Sequence, residues 1–189
     1  MAKTAENSRA GNGIFWRAIG WGTAGLLLLL PLAAMQHSEN VNWTASDFLF
    51  MGVLFGSVGL AFEFIVRKSR SGAYRFAGAI ALLAALLTVW VNGAVGMIGS
   101  ENNPYNLMFG GVLIIALIGA LLARFKPAGM TRAMVVTAVA QAGASAIGLS
   151  TDPHGGMLSI GFAGLWLLSA WLFRKAAEKQ NAIRLAGTA

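Results

Sequence analysis

Long apolar runs, broken by short polar stretches, organise the chain from residue 14 to residue 174. The runs cover 14–35, 47–66, 75–98, 106–123, 133–149 and 156–173. Each approaches the roughly 20 residues that an α-helix needs to cross a hydrocarbon core about 30 Å thick. The pattern predicts an all-α polytopic membrane protein with six transmembrane helices arranged as three hairpins. The fifth run is the least apolar and carries Thr137, Gln141 and Ser145. The expected organisation is an N-terminal tail over 1–13, a transmembrane domain over 14–174 and a C-terminal tail over 175–189. Both tails are expected to be mobile or to lie along the surface.

Composition supports the membrane class. The chain is 57% hydrophobic and only 11% charged, where a soluble domain carries about 25% charge. A net charge of +7 could suggest nucleic acid, but the placement of the basic residues explains it better. All 14 lysines and arginines fall within four clusters, at 3–17, 67–75, 124–132 and 174–184. The intervening stretches have none, and each has room for two helices and a turn. Glu39, Asp47, Glu101 and Asp152 mark the turns. By the positive-inside rule the basic clusters are cytoplasmic. This expectation sets both termini inside a bacterial inner membrane, with three short acidic loops outside. The expected partners are the lipid bilayer and either a membrane protein or a second copy of the chain, not nucleic acid. There is no cysteine, hence no disulfide or thiolate chemistry. Ala33-Ala34 imitates a signal-peptidase site, but the apolar stretch from Ala18 to Met35 is long for a signal peptide, and cleavage is not expected.

The helices that begin at the outer side carry start signals. Thr44-Ala-Ser-Asp47 matches a capping box. Asn103-Pro104 and Asp152-Pro153 each place a capping side chain before a proline at the first helical position. Gly99 is placed to end the third helix.

Asn92 lies inside the third run. With Ala84, Thr88, Gly96 and Ser100 it recurs every four residues, a stripe of small and polar side chains suited to close helix packing. The sharper alternative is a stripe leading down from a pocket lined by Glu101, Asn102 and Asn106. Gly52 and Gly56 give a similar packing signal in the second run.

The string WVNGAVGMIGSENNPYNLM, residues 90–108, resembles a signature in small, uncharacterised proteobacterial inner-membrane proteins. The resemblance implies a location and a focus at this stretch. It implies no reaction and transfers no catalytic residue.

Candidate chemistry is sparse. His37 and His154 are the two histidines, both in expected outer loops beside acids such as Asp152. Imidazole and carboxylate suit a metal ion, yet no diagnostic spacing occurs. No cofactor is expected; a metal or haem at the outer face is the alternative these histidines leave open. Glu63 is a membrane-embedded acid by position, four residues before Arg67, where an i,i+4 pair accounts for it and a functional role is the alternative. Gly20-Trp-Gly-Thr-Ala-Gly25 matches a dinucleotide-binding pattern but lies in a membrane run, where that motif has no strand to follow. The tryptophans sit mostly toward run ends, as in an aromatic belt.

The leading expectation is a non-enzymatic small-ligand-binding or accessory subunit. Its polar site comprises Asn92, Glu101, Asn102, Asn103 and Asn106, at the periplasmic ends of the third and fourth helices. One alternative is a small transporter or channel with Glu63 and Gln141 along its path. Another is a metal or redox subunit using His37 and His154.

Overall fold

A computed structural model describes residues 21–22, 24–26, 28–37, 42–69 and 71–187. Among these residues there are helices α1 (Ala24–His37), α2 (Ala45–Lys68), α3 (Gly72–Ala94), α4 (Leu107–Leu122), α5 (Pro127–Leu149) and α6 (Pro153–Ala186), and no strand. A 3-10 turn, Pro104–Asn106, leads into α4. Five helices are long and apolar enough to cross a membrane, the turn being counted with α4, and α1 is a shorter apolar helix. The chain is thus an all-helical, multi-pass membrane protein. Exposed side chains such as Leu49, Leu107 and Leu122 would be a liability in water and suit contact with lipid.

The chain divides into two compact units, 1–61 and 62–189. In the first, the capping box forms as expected. The Thr44 amide donates to Asp47 Oδ2 (2.8 Å) and the Asp47 amide to Thr44 Oγ1 (3.4 Å). The Trp21 ring fills the space beside Gly59, where a methyl group would lie 2.8 Å from it. Gly52 and Gly56, read as a packing signal, have open space where a side chain would stand.

In the second unit α5 and α6 form a closely packed antiparallel hairpin. Helix α3 packs on α6, and α4 on α5. Helices α3 and α4 scarcely touch, so this pair of sequence neighbours is not a packed hairpin. The interior is built from small residues: Ala77 and Ala84 of α3, Ala133 and Ala138 of α5, Ala170 and Ala176 of α6. Small side chains let helix backbones approach where lipid supplies no hydrophobic drive. Polar cross-links add specificity. Ser169 Oγ donates to the Ala77 carbonyl (2.8 Å), Gln141 Nε2 to the Ser159 carbonyl (3.1 Å), and Ser159 Oγ to Ser145 Oγ (2.7 Å). Trp166, grouped with the belt by sequence, is instead 1% exposed in this core.

Helix ends depart from the apolar runs for local reasons. Helix α3 stops at Ala94, before residue 98, because Gly96 takes a left-handed φ of +77°. Gly96, not Gly99, is the glycine that follows the helix end. Helix α5 starts at Pro127, ahead of the apolar run, since proline suits the first helical turn and Lys126 before it is extended. Helix α6 does not stop at Phe173. It continues to Ala186 through strong helix formers, with Arg174 Nε donating to Glu178 Oε1 (2.8 Å). At 34 residues it is about 50 Å long and outreaches the bilayer core.

Candidate functional site

Residues 95–106 join α3 to α4 and cover one end of the second unit. Two apolar side chains anchor this loop. Met97 and Ile98 are 2% and 0% exposed and pack with Phe109, Val112, Ala144 and Phe162. Ile98 rests on Gly148 of α5, where no side chain would fit. Burying these two side chains contributes about 1.5–3 kcal/mol each.

Asn106 braces the loop from beneath. Its Oδ1 accepts from the amides of Met97 (3.0 Å) and Ile98 (2.9 Å). Its Nδ2 donates to the carbonyls of Ile98 (3.3 Å) and Ser100 (2.8 Å). Asn92 Nδ2 donates to the Thr88 carbonyl (3.0 Å), and its Oδ1 takes a second share of the Met97 amide (3.3 Å). The stripe is a packing face through its helical part, with Ala84 and Thr88 both 0% exposed. Asn103 caps the turn before α4, its Oδ1 accepting from the Tyr105 amide (3.1 Å). Two glycines at positive φ, Gly96 (+77°) and Gly99 (+69°), let the chain fold back on itself.

The apex of α5 and α6 supplies the last tie. Asp152 Oδ2 accepts from the Gly99 amide (2.8 Å), and Oδ1 from the His154 amide as the α6 cap (3.1 Å). The Gly99 amide, then that of Gly155, hold the Asp152 carboxyl below its ordinary pKa, against partial desolvation; the His154 amide and charge add to this. Asp152 thus works as a cross-brace between two loops.

The five sequence-selected polar residues therefore separate into two groups. Asn92, Asn103 and Asn106 turn their side chains to the protein's own backbone. Glu101 and Asn102 stand exposed at the tip, with no side-chain hydrogen bond among the described residues. Glu63 pairs with Arg67 one helical turn away, as its spacing suggests. Gln141 is fully buried between α5 and α6, and its Oε1 has no hydrogen-bond partner. His37 and His154 are exposed in different units. Among the described residues, no three histidine or acidic side chains gather in a way that could hold a metal ion.

Two cavities among the described residues lie elsewhere. One, of about 460 Å³, is an apolar groove along α4 and α5, with Ile115, Ile118 and Val136 in its walls and Arg132 at its border. The other, also about 460 Å³, opens at the opposite end from the 95–106 loop, where Lys68, Lys126 and Lys179 line it. In the sequence these lysines fall in three basic clusters that topology alone explains. Their convergence depends on helix packing that spacing does not disclose.

No protein-family profile, curated protein or solved structure matches the chain.

Proposed function

We propose that the protein is a non-enzymatic accessory subunit of the bacterial inner membrane, and that the tip of its 95–106 loop recognises a membrane-protein partner on the periplasmic side. One observation carries this reading. The loop backbone is tied down by Asn106, Asn92 and Asp152, while Glu101 and Asn102 stand exposed above it with no side-chain hydrogen bond among the described residues. A pre-ordered loop loses little conformational entropy on binding, so its exposed groups recognise at low cost. The resemblance of residues 90–108 to a signature of inner-membrane proteins supports the same focus. The basic clusters support six spans with both termini cytoplasmic.

The test is co-purification from native membranes. Glu101→Lys with Asn102→Ala should abolish recovery of a partner while unfolding in detergent stays unchanged. Unaltered recovery would rule the tip out.

A second reading, a small transporter or channel, is favoured by one specific feature. Gln141 Oε1 and Trp166 Nε1 are buried without hydrogen-bond partners among the described residues. Such atoms in an apolar interior cost several kcal/mol each unless a polar guest satisfies them. Gln141→Leu should then abolish flux in proteoliposomes. Equal flux in both forms, or none across a broad substrate panel, would eliminate this reading.

A further inference from the structure

The lysine-lined cavity has a donor-rich chemistry that topology alone does not require. Lys68 comes from the end of α2, Lys126 from the turn before α5, and Lys179 from the extension of α6. Among the described residues, no acidic side chain lines the cavity. The two ion pairs nearest in sequence, Glu63–Arg67 and Arg174–Glu178, involve none of the three lysines. Three ammonium groups offer many donors and no acceptor.

Two serine hydroxyls add donors. Ser69 Oγ accepts from the Ser71 amide (3.1 Å), and Ser71 Oγ from the Tyr74 amide (3.5 Å). Each hydroxyl accepts one amide and keeps its own proton to donate. Ser71 and Lys126 are the caps of α3 and α5, so the positive ends of two helix dipoles border the space. Phe125, Pro127 and Ile183 add apolar walls.

One wall is held in a costly shape. Arg124 and Phe125 have φ of +49° and +57°, two consecutive non-glycine residues in the left-handed region. Each such residue costs about 1–2 kcal/mol. The buried Tyr74 hydroxyl donates to the Phe125 carbonyl (2.7 Å), and Phe64 meets the Phe125 ring edge to face at 4.9 Å. Strain maintained by specific contacts next to a cavity is a mark of a built site. Here it sets where Lys126 enters.

We infer that this cavity binds a phosphate group, and that the phosphate is the headgroup of an anionic phospholipid. The site lies just beyond the apolar part of α6, Ala176 to Ile183 following Phe173, at the depth where headgroups sit. Basic pockets between helices at this depth are suited to anionic headgroups. The apolar walls would receive the first methylenes of the acyl chains.

The test uses the full chain in neutral detergent and native mass spectrometry. Separate titrations use short-chain phosphatidylglycerol, the matching phosphatidylcholine and inorganic phosphate. The expected result is one saturable phosphatidylglycerol per chain, bound at least tenfold tighter than phosphatidylcholine. Lys68→Gln, Lys126→Gln and Lys179→Gln together should weaken it at least tenfold. Removing the same number of charges at Arg67, Arg132 and Arg174, none of which lines the cavity, should change it less than twofold. Tyr74→Phe, which alters no charge, should weaken binding several-fold by releasing the Phe125 turn. Displacement of the lipid by millimolar inorganic phosphate would keep the phosphate site and assign it to a soluble phosphate instead. Equal affinity for the two lipids without phosphate binding, or equal losses in both triple variants, would overturn the inference.

Discussion

Replacing Asn106 with alanine should release the 95–106 loop without touching the helices. Four hydrogen bonds disappear, but they are not equal. The Ser100 carbonyl retains the Asn103 amide (3.0 Å). The Met97 amide retains Asn92 Oδ1 at 3.3 Å. The amide and carbonyl of Ile98 have no such recourse, because Ile98 is 0% exposed. Leaving a buried donor or acceptor unpaired costs about 1–3 kcal/mol, so the two together should cost about 3 kcal/mol after partial relaxation. Reversible unfolding in mixed micelles measures the total. Hydrogen exchange measures the local part, where a loss of this size accelerates the Met97 and Ile98 amides about 100-fold. Asn106→Asp is a sharper probe. It retains the acceptor for both amides but loses both donations, and at neutral pH places a negative charge against the Ile98 and Ser100 carbonyls. It should destabilise at neutral pH and recover in part when acid protonates the carboxyl. If Asn106→Ala shifts stability by less than about 0.5 kcal/mol and leaves exchange over 97–100 unchanged, the loop is not braced in this way.

Other expectations follow from the same contacts. Ionised Asp152 is favoured in the folded chain, so its stabilisation is present above the free aspartate pKa of about 3.9 and fades as pH falls through the lower, folded value. Protection of the Gly99 amide, measured against its intrinsic exchange rate at each pH, should therefore fall in strong acid, and Asp152→Asn should remove that dependence. Gly96→Ala should cost at least about 1–2 kcal/mol from the left-handed backbone alone, with a further clash because the added methyl meets Ser100 and Asn106; stability equal to the parent would refute the assigned turn. Ser169→Ala removes the α6–α3 bond to Ala77 and should cost about 0.6–1.7 kcal/mol in detergent unfolding. No change would mean that small-residue packing alone joins these helices.

Much of the frame is visible in the sequence because its physics is local. Apolar run length reports spans, and Thr44, Asn103 and Asp152 announce helix starts through side chains that act within three residues. What stays hidden is non-local. Nothing in the spacing shows that Asn106 reaches back eight residues to Ile98, or that Asp152 reaches Gly99 across 53. Four asparagines near one loop suggest a ligand site; the fold commits three of their side chains to backbone. The pairing of α3 with α6 rather than α4 is likewise invisible, because alanine-rich faces carry little information about which neighbour they meet. Trp166 illustrates the same limit. Its position near a run end suits a belt, and only the packing of α6 turns it inward.

The most direct test of the accessory-subunit reading places a photoreactive amino acid at position 102 and irradiates cells carrying the full chain. The account predicts one discrete protein adduct that disappears when Glu101→Lys is added. It also predicts no such adduct from position 107, where an outward-facing leucine is 79% exposed. No adduct at 102, or the same products from 102 and 107, would contradict it.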